Sequence, residues 1–232
     1  MKHQINAKGL HSKANAMPKA PDSEADAVRY VVLRKLASGM RHTLMGELQA
    51  IQFTGELAAQ MVATGAPGSK LRDAIDQIPE QTKAAVRTSR SIMEWLRPED
   101  TSNIEVEAAI QQCLKLAGDD WSLRGIKATT SCQTGTATVP KTVFYELFVT
   151  SLLALADLHP GSLDIDIVAE EVDKKVVVKL SAHATDRRSA LPPLVLYRGL
   201  TFDDVRVLAK ADEITCACHD ATVILEFQPS TT

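Results

Sequence analysis

Apolar positions in the first hundred residues recur at helical intervals. Val28, Val32, Leu33, Leu36, Met40, Leu44, Leu48 and Ile51 follow one another at spacings of three and four, with Val32 and Leu33 as the one adjacent pair. Such spacing sets them on one stripe of a long helix from residue 22 to about residue 64. Asp22 or Ser23 caps its start, and Glu24 and Asp26 suit the positive end of the helix dipole. The run Thr64-Gly65-Ala66-Pro67-Gly68-Ser69 predicts a turn. A second helical pattern runs through Leu71, Ala74, Ile75, Ile78, Thr82, Ala85, Val86, Ser89, Ile92, Met93 and Leu96. Pro79 is predicted to kink it, since a helix-interior proline removes a hydrogen bond, and it ends at Arg97-Pro98-Glu99-Asp100. Two long helices joined by a short turn form an antiparallel hairpin. One hairpin cannot cover both of its apolar faces, so the pattern predicts a homodimer in which two hairpins make a four-helix bundle.

After Thr101 the pattern mixes both periods. A helix over 104–117 and a strand over 125–130 precede a second helix that opens at Pro140 and stops at His159-Pro160-Gly161. Alternating β-branched runs at 163–168 and 175–181 flank an acidic turn at Glu170, Glu171 and Asp173. A short helix over 202–210 leads to strands at 213–218 and 222–227, joined at His219-Asp220. This part is α+β, with helices laid on one mostly antiparallel sheet. Three segments follow: a polar tail over 1–23 carrying Lys2, Lys8, Lys13 and Lys19, a helical hairpin over 24–100, and an α+β domain over 101–232.

Charge and composition narrow the function classes. With 26 basic against 29 acidic side chains and only 4% aromatics, neither the basic footprint nor the stacking platforms of a nucleic-acid binder are present. The most apolar stretch, 147–156, contains Thr150 and Ser151 and is too short to span a bilayer. No apolar run follows the N-terminal lysines, and four cysteines show no disulfide framework, so a soluble, cytoplasmic protein is expected. Cys113 lies on an amphipathic helix and reads as core. Cys216 and Cys218 alternate on a strand and point to one face; next to His219, but without a second ligand pair, they predict no metal centre.

The candidate reactive residue is His42. It falls off the apolar stripe and is predicted to face solvent, with Ser38, Gly39, Met45 and Gly46 one turn away. Each glycine inside a helix costs about 1 kcal/mol relative to alanine. Keeping two of them beside an exposed imidazole suits access by something bulky.

The segment from Arg41 through His42, Thr43, Leu44, Met45, Gly46, Glu47, Leu48, Gln49 and Ala50 to Ile51 resembles the H-box of sensor histidine kinases, in which His-Glu-Leu-Arg-Thr-Pro-Leu-x-x-Ile is usual. His42 takes the phosphorylated position, and Leu44, Leu48 and Ile51 the apolar ones. The segment 91–99 is similar to the close of those kinases' dimerisation hairpin. Residues 104–126, 144–161 and 197–229 resemble, in order, parts of their ATP-binding domain, so the resemblance implies a Bergerat-type α/β sandwich.

The chain departs from the family at its nucleotide site. The two N-box asparagines fall on Ser151 and Leu155, and Leu155 cannot ligate Mg²⁺. The adenine-binding Asp-x-Gly-x-Gly falls near Ala182-His183-Ala184, and Arg187, Arg188, Pro192 and Pro193 stand where a glycine-rich lid is usual. Thr43, a poor base, follows the histidine, and Gly46 replaces the Thr or Asn used in dephosphorylation. No ATP or other cofactor is therefore expected. What remains resembles the dimeric histidine phosphotransferases: His42 exchanging phosphate with response-regulator receiver domains, which bring their own Mg²⁺, with a hybrid histidine kinase as a further candidate partner. Docking is expected over Ser38, Gly39, Arg41, Thr43, Met45, Gly46 and Gln49. The alternative is a non-catalytic pseudokinase scaffold. Neither nucleic acid nor membrane is an expected partner.

Overall fold

The computed structural model describes residues 22–95, 101–123, 125–159, 161–185 and 198–229. The expected tail, the close of the second helix after Trp95 and the segment in place of the lid lie outside these residues, save that Asp22 and Ser23 belong to the first helix.

Helix α1 spans Ser23–Ala63, and its start is capped by Asp22, whose Oδ1 accepts the Glu24 and Ala25 amides at 3.1 and 3.4 Å. It closes at Thr64 and Gly65, the latter at φ +68°, and α2 (Gly68–Trp95) returns beside it, continuing through Pro79. The two helices meet along small and polar residues. Thr54, Ala58, Ala74 and Ala85 are buried; the Thr88 hydroxyl donates to Glu47 Oε1 at 2.8 Å, and Gln81 Nε2 donates to Thr54 Oγ1 at 3.1 Å.

The remainder is α+β. A short strand β1 (Asn103–Glu105) pairs antiparallel with β3 (Thr138–Pro140). Between them lie α3 (Val106–Leu123) and β2 (Ile126–Gln133). Helix α4 (Lys141–Leu158) crosses from β2 to the parallel strand β4 (Leu163–Val172). A two-residue turn at Asp173 and Lys174, both at positive φ, leads into β5 (Lys175–Ala184). Helix α5 (Phe202–Ala211) and strands β6 (Thr215–His219) and β7 (Thr222–Phe227) complete a mixed sheet in the order β2-β4-β5-β7-β6.

Period-two alternation turns Leu163, Ile165, Ile167 and Ala169 of β4, and Val176, Val178, Leu180 and Ala182 of β5, onto the helices. Phe144 stacks on Phe148 at 5.3 Å and meets Phe227 at 5.1 Å. Helix α4 is buried on nearly every side, which explains why its sequence is apolar all round. Its outer side is covered by the first half of α1, whose Ala25, Val28, Val32, Leu36 and Met40 belong to the same core as the sheet.

Ion pairs border this seam. Arg29 of α1 holds Glu146 of α4 at 2.7 Å and Asp212 at 3.3 Å, and Lys35 holds Asp157 at 2.9 Å. Burial pushes the Glu146 carboxyl above its usual range, more than Arg29 draws it down.

Here the structure differs from the single stripe read in the sequence. Val28, Val32, Leu36 and Met40 face the α+β part rather than α2, whereas Leu33 and Leu48 are exposed and Leu44 and Ile51 half-buried. Spacing fixes which residues share a face, but not which neighbour covers it. Among the described residues, no helix is long and apolar enough to cross a membrane.

Candidate functional site

His42 lies where α1 leaves the α+β part and enters the hairpin, two residues past buried Met40. It is exposed, and among the described residues no hydrogen bond or ion pair holds its imidazole. By helical spacing, Ser38, Gly39, Met45, Gly46 and Gln49 share its side of α1, while Arg41 and Thr43 flank it. Arg41, Met45, Gly46 and Gln49 are exposed; Ser38, Gly39 and Thr43 are half-buried. The Thr43 hydroxyl donates to the Gly39 carbonyl at 3.0 Å, along its own helix.

A Cβ added at Gly39 or Gly46 would meet nothing within 4 Å. Packing inside the chain therefore does not require either glycine. A Gly46→Ala protein is expected to be more stable by about 1 kcal/mol, read from urea denaturation. An unchanged or lower midpoint would show that the helix needs glycine there.

Two features further along α1 from His42 were not foreseen in the sequence. Lys35, two turns earlier on the same side, is tied to Asp157 at the end of α4, and Asp157 Oδ2 also accepts the Leu200 amide at 2.8 Å. The end of α4 thus stands roughly 10 Å along the helix axis from His42. In the other direction a groove of about 460 Å³ opens between the helices, walled by Phe53, Leu57 and Met61 of α1 and by Lys70, Asp73 and Gln81 of α2. Phe53 is 67% exposed. The spacing 42, 46, 49, 53 puts it on the His42 stripe, a signal the sequence carried. Gln81 Oε1 is buried without a hydrogen-bond partner among the described residues.

The opposite side of the hairpin is apolar and uncovered. Leu48, Val62, Ile75, Val86 and Met93 are exposed large hydrophobics, with Leu44, Ile51, Leu71 and Ile78 half-buried beside them. Helical spacing places the α1 and α2 members on the same face of an antiparallel pair, away from the groove.

The N-box positions of the resemblance lie inside the core. Phe144, Phe148, Ser151 and Leu155 form one stripe of α4, all fully buried, and the Ser151 hydroxyl donates to the Leu147 carbonyl at 2.7 Å. Ala182 is buried, and His183 turns outward, 3.4 Å from Asp166. Trp121 is buried, as is Cys113; His159 ends α4. Among the described residues no cluster of three or more His, Cys, Asp or Glu could hold a metal ion.

No family model and no curated protein matches the sequence. Solved structures do superpose on it. One is the histidine kinase AdeS of Acinetobacter baumannii, 13% identical over 82% of this chain and 98% of that one, with a TM-score of 0.40. Another is the histidine kinase ThkA in complex with the response regulator protein TrrA, 13% identical over 90% of this chain and 64% of that one, with a TM-score of 0.42. A third is a bacterial phosphotransferase, 15% identical over 90% of this chain and 98% of that one, with a TM-score of 0.39. With every TM-score this low, these likenesses carry no part of the functional reading, which rests on the chain's own residues.

Proposed function

We propose that the chain is a histidine-containing phosphotransferase of a two-component phosphorelay, with His42 exchanging a phosphoryl group with the aspartates of response-regulator receiver domains. One observation carries this reading: an exposed imidazole, without a hydrogen-bond partner among the described residues, stands on a helix between two glycines that no packing contact there requires.

The chemistry asks little of this protein. A receiver's aspartyl phosphate is already activated, and the receiver supplies the Mg²⁺ and lysine that stabilise the transferring charge. The His42 Nε2 lone pair forms the new N–P bond as the aspartyl O–P bond breaks and the carboxylate leaves; the Nδ1 proton stays on the ring. Helix α1 holds the imidazole in place and leaves it in reach, and the groove offers an apolar seat for a receiver helix. Gly39 and Gly46 let that helix approach closely, so the Gly46→Ala protein is expected to accept phosphate more slowly although it folds more tightly.

Two further expectations belong to this reading. A homodimer is supported by the hairpin's own contact, which buries only Thr54, Ala58, Ala74 and Ala85 among its described residues and leaves the large apolar side chains uncovered. A second copy laid on that face completes a four-helix bundle. Action without ATP is supported by α4: at the N-box positions, Ser151 bonds its own helix and Leu155 packs inside, so these residues do not fit a nucleotide's Mg²⁺. Thr43, with its hydroxyl on Gly39, offers no general base.

The test is to mix the purified protein with phosphorylated receiver domains and Mg²⁺, then follow the label. Acid-labile, base-stable phosphate on the peptide containing His42 is the expected result. No label across the organism's receivers would overturn the proposal in favour of a non-catalytic scaffold.

A further inference from the structure

Cys216 and Cys218 lie on β6, the edge strand of the sheet, with their Sγ atoms 3.4 Å apart. Both point to the side that packs on α5, and both are half-buried, so neither is sealed from solvent as Cys113 is. Helix α5 brings a cation to the strand: Arg206 donates to the Cys218 carbonyl at 2.9 Å while its other nitrogen holds Asp203 at 2.7 Å. Two residues along a strand separate Cα atoms by roughly 6.6 Å, at the upper end of what a disulfide spans. An edge strand can close that gap, because its outer backbone side has no neighbouring strand to break from.

From this geometry we infer that Cys216 and Cys218 form a reversible dithiol–disulfide pair that reacts with hydroperoxides. The thiol contact from Cys216 draws the Cys218 thiol below its ordinary range and Arg206 adds to this, against burial and the Asp203 carboxylate, whereas Cys216 is pushed up. Arg206, which is hydrogen-bonded to the Cys218 carbonyl, stands on the Cys218 side of the pair and so makes Cys218 the attacking sulfur and Cys216 the resolving one.

Attack of the Cys218 thiolate on hydrogen peroxide forms an S–O bond and breaks the O–O bond. The departing hydroxide takes up the proton that the thiol released and leaves as water. Cys216 sulfur then attacks the sulfenic sulfur; the S–S bond forms, the S–O bond breaks, and the hydroxyl leaves with the Cys216 proton as a second water. Two thiols and one peroxide thus give one disulfide and two waters, and a small dithiol reductant reverses the step by exchange.

The intact protein allows a direct reading, because cleavage after Lys210 leaves both cysteines together on one peptide, with no Lys or Arg in 211–232 to separate them. After peroxide treatment and alkylation without reduction, this peptide is expected to be lighter by two hydrogens and unalkylated, and to regain both labels after dithiol reduction. Cys132, half-buried with its sulfur 3.2 Å from the Thr134 hydroxyl, is the internal reference and is expected to react roughly tenfold more slowly. In a Cys216→Ser protein, Cys218 is expected to be trapped as a sulfenic acid; in a Cys218→Ser protein, Cys216 is expected to stay alkylatable. Independent alkylation of both wild-type cysteines after peroxide, separate oxidation to sulfinic acids, or bridges only between chains would each overturn the pair. The wild-type measurement decides even if a serine variant fails to fold.

Discussion

A His42→Gln protein is expected to fold like the wild type and to take up no phosphoryl group from a phosphorylated receiver. The imidazole touches no hydrogen-bond partner among the described residues and lies on the exposed side of α1, so its loss removes no contact that holds the fold. Glutamine is a good helix former of similar length, and its amide nitrogen has no available lone pair. Transfer should therefore fall by roughly a thousandfold or more, as it does when a nucleophile is removed. The comparison needs circular dichroism for the fold and initial rates of label transfer for the chemistry. A rate within a few-fold of wild type would sink the assignment of His42.

The largest loss of stability is expected from Leu36→Ala. Leu36 is buried where α1 packs on the α+β part, in the core that also contains Phe148 and Ile165. Truncating a buried leucine costs roughly 2–5 kcal/mol, the spread reflecting how far the site collapses. Because the core is shared, the sheet signal and the helix signal should fall at the same, lower urea concentration, and the shift should not depend on protein concentration. Leu48→Ala makes the contrast. Leu48 is 47% exposed in the single chain, so its truncation should leave unfolding of the α+β part alone and appear as weaker self-association, read by sedimentation at several concentrations. If Leu36→Ala costs no more than Leu48→Ala, the seam between α1 and α4 does not hold the molecule together.

Much of the architecture was legible in the spacing of apolar residues. The two helices and the exposure of His42 follow from period 3.6, their turn and cap from the Gly-Pro run and from Asp22 or Ser23 as capping residues, and the β4–β5 and β6–β7 pairs from period two. Other parts were not legible, for identifiable reasons. Strands β1 and β3 are three residues each, too short to show alternation, and the sequence reading carried the helix back over Ile104, which pairs with Val139. Strands β4 and β5 continue through Glu170, Glu171 and Ala182, past the acidic turn read from charge alone; the turn itself is set by Asp173 and Lys174 at positive φ. The division of the α1 stripe between two neighbours was hidden, because Leu36 and Leu48 are the same residue type at the same periodicity. The groove was hidden as well: Phe53 and Gln81 are 28 residues apart in sequence and meet only when the hairpin closes.

The uncovered apolar face and the groove on the His42 stripe lie on opposite sides of the hairpin. On the proposed reading, the surface used for self-association is not the surface offered to a receiver, so occupancy at one does not compete with the other. Each half of the pair then keeps its own imidazole and its own seat. Titration with a receiver should saturate at one receiver per chain and follow a simple hyperbola, and a dimer with one His42→Gln half should retain half the capacity of the intact one.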